Sequence, residues 1–76
     1  MTSEDLDAQD AALTEEESRL RTELGSLHDE LLGGLRRDLH HHADAIAAIE
    51  KRIRTIVLRL TQIERDRIEL NIARAL

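Results

Sequence analysis

The residues best equipped for chemistry are four histidines, His28 and the run His40-His41-His42, with Asp38 and Asp44 beside them. Imidazole with carboxylate suits Zn²⁺, Mn²⁺ or Fe²⁺. Consecutive helical residues project about 100° apart, so the triple run cannot converge on one ion. A better set uses Asp38 with His42 at i,i+4, or His41 with Asp44 at i,i+3, and needs His28 folded back against them. No HxxxH or ExxH pair is present. His28, Asp38 and His42 are therefore weak candidate ligands, and the expected cofactor is none. His42 at a seam position would also be pH-sensitive, because protonation near pH ~6.5 would place a charge there. The serines, Ser3, Ser18 and Ser26, stand at no helical spacing from a His and an acid, and the chain has neither a cysteine nor a glycine-rich phosphate loop. Nothing supplies a nucleophile with its base, so no enzymatic activity is expected.

Positioning such residues falls to helices. The 76 residues contain no Phe, Tyr, Trp, Pro or Cys; 41% are apolar, largely Ala, Leu, Ile and Val, and 36% are charged. That balance belongs to long helices and coiled coils, and so small a chain without aromatics builds little core alone. Leu39, Ile46, Ile49, Ile53, Ile56, Leu60, Ile63 and Leu70 recur every three, four or seven positions, the spacing of a helical seam. With Ile46 at heptad position a, Leu39, Ile53 and Leu60 share a, while Ile49, Ile56 and Ile63 share d. β-Branched residues at d disfavour a parallel zipper and point to three or four strands or an antiparallel pairing. These eight residues are the expected oligomer interface.

Two local signals set the expected boundaries. Thr14-Glu15-Glu16-Glu17 fits a capping box, with Glu17 reaching back to Thr14. Gly33-Gly34 can end a helix, and the leucine spacing changes phase there, from alternating threes and fours to Leu27, Leu31, Leu35 and Leu39 at even fours. The sequence therefore predicts an all-α hairpin, a short helix over 14–32 and a long one over 35–75, assembling into a coiled-coil-like multi-helix bundle; the alternative is a single long bent helix. Residues 1–13 form an acidic arm. It is frayed or helical on a partner, and the heptad Leu6, Leu13, Leu20, Leu27 allows a start as early as Ser3. Residues 14–76 form the oligomerisation domain.

Charge separates along the chain. Residues 1–18 hold seven acids and no base, whereas residues 19–76 hold eleven bases, ten of them Arg, against nine acids. The Arg bias fits a GC-rich genome. Lys51, Arg52, Arg54, Arg59, Arg65 and Arg67 are interleaved with acids around the helix rather than aligned, and no aromatic is available for base stacking, so nucleic acid is not the expected partner. Arg67 and Arg74 fall at a positions, where they must reach water, pair with an acid of another helix, or end the seam. With Arg65, Ile68 and Ile72 they are the candidate residues for binding another protein. No run nears the ~20 apolar residues of a membrane span and the acidic N-terminus is unlike a secretory signal, so a cytoplasmic location is expected. The expected function is a non-enzymatic oligomerisation or adaptor module, with the chain itself as first partner, as a dimer of hairpins, and another protein as second. The alternatives are an acidic inhibitor docking on a basic surface and, behind it, a His/Asp metal-binding or pH-sensing bundle.

Overall fold

The computed structural model describes residues 2–35 and 43–76. Two helices, α1 (Ser3–Leu35) and α2 (Ala43–Ala75), each 33 residues, pack against each other. The chain is a helical hairpin, 55 × 15 × 13 Å. At ~1.5 Å per residue each helix is about 50 Å long, so each runs the length of the rod. The single bent helix is thereby excluded, as is a long helix outrunning a short one.

The boundaries differ from expectation at three places, each for a physical reason. α1 begins at Ser3, the early start that the leucine heptad allows, and not at Thr14. Its cap is Thr2, whose hydroxyl accepts from the Asp5 amide at 3.2 Å while the Thr2 amide donates to Asp5 Oδ2 at 3.4 Å. This is a capping box with Asp as the returning acid. Thr14 lies mid-helix, its motif outweighed by the upstream heptad, and Leu6, inside the expected arm, is buried. What holds the arm is α2 of the same chain.

Gly33-Gly34 does not make the turn, because α1 continues to Leu35 and Gly33 has no positive φ. A glycine costs roughly 1 kcal/mol in a helix interior, a local preference that the cooperative extension of the α1 hydrogen-bond ladder outweighs. Leu35 thus belongs to α1 rather than opening the second helix, and α2 is described from Ala43. Leu39, Asp38, His42 and the rest of the histidine run lie outside the described residues.

The core is thin. Among the described residues only Leu6, Ile56, Ile63 and Leu70 are buried, with Ile56 and Ile63 sealed at 1% and 0% exposure. Ile56, Ile63 and Leu70 share heptad position d, so this edge of the α2 seam packs on α1.

Candidate functional site

α1 carries a heptad pattern of its own. Leu6, Leu13, Leu20 and Leu27 occupy d, and the residues four positions after each, Asp10, Glu17, Leu24 and Leu31, occupy a. The a row is therefore acidic near the chain's start and apolar near the reversal. In α2 the a row is Ile46, Ile53 and Leu60, then Arg67 and Arg74. Antiparallel packing sets the acidic half of one row against the basic half of the other.

The contacts follow that match. Arg67 Nη1 donates to Glu17 Oε2 at 3.1 Å and Nη2 to Thr14 Oγ1 at 3.4 Å, with Asp10 Oδ1 3.8 Å from Nε. Arg74 Nη2 donates to Asp7 Oδ1 at 2.7 Å, and Asp10 Oδ2 lies 3.5 Å from Nη1. Each guanidinium is thus shared between two carboxylates. Arg74 stands in the last turn of α2, where a cation also complements the helix dipole.

On the opposite edge of the seam, beside d, position g carries a second ladder. Arg52 binds Glu23 with both Nε and Nη2, at 2.7 and 2.8 Å, and Arg59 binds Glu16 in the same forked manner at 2.8 and 2.6 Å. Forked pairs of this kind fix geometry as well as sign. The hydrogen bond from Arg59 holds the Glu16 carboxyl below its ordinary range, against desolvation, and the bond from Arg52 does the same for Glu23. On this g side, among the described residues, open grooves of about 490 and 370 Å³ both reach Glu16 and Arg59. One is floored by Leu6, Leu13 and Leu70, the other by Leu20 and Ile56.

The residues expected to form an oligomer interface therefore divide. Ile56, Ile63 and Leu70 are covered by α1, whereas Ile46, Ile49, Ile53 and Leu60 are partly open. Of the residues expected to bind another protein, half-buried Arg67 and exposed Arg74 are paired with acids of α1, while Arg65, Ile68 and Ile72 are exposed. Three members of the basic segment, Arg52, Arg59 and Arg67, are likewise paired within the chain. His28 is exposed, and among the described residues no three His, Cys, Asp or Glu side chains gather into a metal site. No described helix is long and apolar enough to cross a membrane.

Asp10 and Glu17 escaped the sequence reading, although a signal for them exists. Each stands four residues after a heptad leucine, at the a position that Leu24 and Leu31 fill further on. Aligning the two a rows in opposite directions pairs them with Arg67 and Arg74.

No family model, curated protein or solved structure matches this chain.

Proposed function

We propose that the chain is a non-enzymatic oligomerisation and adaptor module that works through protein–protein contacts and whose first partner is a second copy of itself. The observation that carries this reading is surface. The chain exposes 5911 Å², whereas a compact monomer of 8.7 kDa would expose about 4,700 Å². The surplus, about 1,200 Å², exceeds the roughly 800 Å² per partner of a standard protein interface. Part of it is apolar: Val57, Leu58, Ile68 and Ile72 are each 48–61% exposed.

The acidic-inhibitor reading draws less support. Asp7, Asp10, Glu16 and Glu17 already face arginines of α2, so a basic target would have to displace those pairs. Sedimentation equilibrium at micromolar concentration tests the proposal, with a helical dimer or higher species expected. A folded monomer across that range would sink it.

A further inference from the structure

The two sides of the seam are closed to different degrees. The g side is bridged by an Arg–Glu fork in both halves of the rod. The a side is bridged only toward the termini, where the Arg67 and Arg74 side chains cross the gap between helices. Toward the reversal no ion pair between described residues crosses it, and Leu24, Ile53 and Leu60 line it, each partly open. Val57 and Leu32 extend this patch outward, at 48% and 56% exposure.

We infer that this a-side patch of Leu24, Leu31, Ile53, Val57 and Leu60 is the surface on which a second copy packs, about a two-fold axis, to complete a four-helix core. The inference rests on the assembly reading above and specifies its face. Two observations select a copy of the same chain as occupant. The surplus surface is of the size a dimer covers. The charged residues bordering the patch at positions e and b are two of each sign, Arg21 and Arg54 with Glu50 and Glu64. A border with no net charge does not repel its own two-fold image and does not select a strongly acidic or basic partner. Self-complementarity of one patch is what a two-fold interface requires. The outer face of α1, by contrast, presents Glu4, Glu15 and Asp29 among small residues such as Ala8, Ala11 and Ser18, and copies would repel there.

The test compares neighbouring residues on different sides of α2. Val57 borders the patch; Leu58, 61% exposed, borders a groove of the g side. Val57→Glu should raise the dimer dissociation constant about a hundredfold, because each copy would bury an unpaired carboxylate, and Leu58→Glu should leave it near the wild-type value. The chain has no cysteine, so single-cysteine variants provide a reading in the folded assembly even if Val57→Glu unfolds on dissociating. A short bis-maleimide should couple Val57→Cys chains into covalent dimers and leave Leu58→Cys chains monomeric on a denaturing gel. A wild-type dimer that Val57→Glu does not weaken, or that couples through Leu58→Cys instead, would overturn the inference while leaving assembly intact. A monomeric wild-type chain would remove both.

Discussion

The terminal half of the rod and the half near the reversal share one heptad pattern but close it differently. Toward the termini, Leu6, Ile63 and Leu70 are buried, and on the a side the Asp7, Asp10, Glu17 set is bridged to Arg67 and Arg74, while the g side there holds the groove floored by Leu6, Leu13 and Leu70. Toward the reversal the a row is apolar, yet Leu24, Leu27, Ile49 and Ile53 are only partly covered. In a two-helix seam, a long arginine anchored across the gap lids the layer beneath with its aliphatic stem, whereas a short isoleucine leaves its own flank open. On the a side the more polar half is therefore the better sealed one. The more apolar half is the one with surface left for a partner.

The largest expected effect probes that difference directly. Ile63→Ala removes a fully buried side chain and should cost about 3 kcal/mol, within the usual 2–5 kcal/mol range. Ile49→Ala, also at d but partly covered, should cost about half as much in chemical denaturation at a concentration where the chain is monomeric. Equal losses would mean that the two halves are equally packed and the comparison empty.

Arg67→Ala comes next, at about 1–2 kcal/mol. It strips the lid from the seam and leaves Asp10 and Glu17 without the guanidinium that lies between them. Reversing the pair as Arg67→Glu with Glu17→Arg should recover part of the loss, and a double variant no better than the worse single would show that Glu17 is not the partner that matters.

How much of this was legible in the sequence depends on what each signal competes with. The Ile and Leu spacing identifies the α2 seam because burial rewards every member of it, and the all-α hairpin follows. Gly33-Gly34 misleads, since a local helix-breaking cost near 1 kcal/mol per residue is small beside the cooperative hydrogen bonding of a 33-residue helix. Thr14-Glu17 misleads similarly: a capping motif has meaning only where a helix starts, and both side chains instead face Arg67. Asp10 and Glu17 read as gaps in a leucine pattern until the opposing row is laid against them. The open a-side patch is the least legible, because no single helix shows which flank of its seam a neighbour will lid.

Acid should act on the g-side forks in both halves. Because Glu16 and Glu23 are held below their ordinary range by Arg59 and Arg52, their contribution is complete above the unfolded glutamate value of about 4.3. It disappears as pH falls through the lowered folded values. Thermal melts from pH 7 to 2.5 should show Tm declining below about pH 4.3, and the double variant Glu16→Gln with Glu23→Gln should decline less. A decline of unchanged size would show that the g-side forks do not carry the acid sensitivity.

The smallest effects test the helices apart from their seam. Thr2→Ala should cost about 1 kcal/mol, as loss of an N-cap does, and its fraying should show as faster amide exchange confined to the first turn of α1. Gly25→Ala works in the other direction. Gly25 is helical and exposed with open space where a Cβ would stand, so alanine should stabilise by roughly 0.8–1 kcal/mol through backbone preference alone. Because Gly25 sits at b, next to the proposed patch but outside it, the gain should appear equally in monomer and dimer. A gain seen only at dimer concentrations, or a loss there, would place this turn of α1 inside the contact with the second copy and widen the interface beyond Leu24 and Leu31.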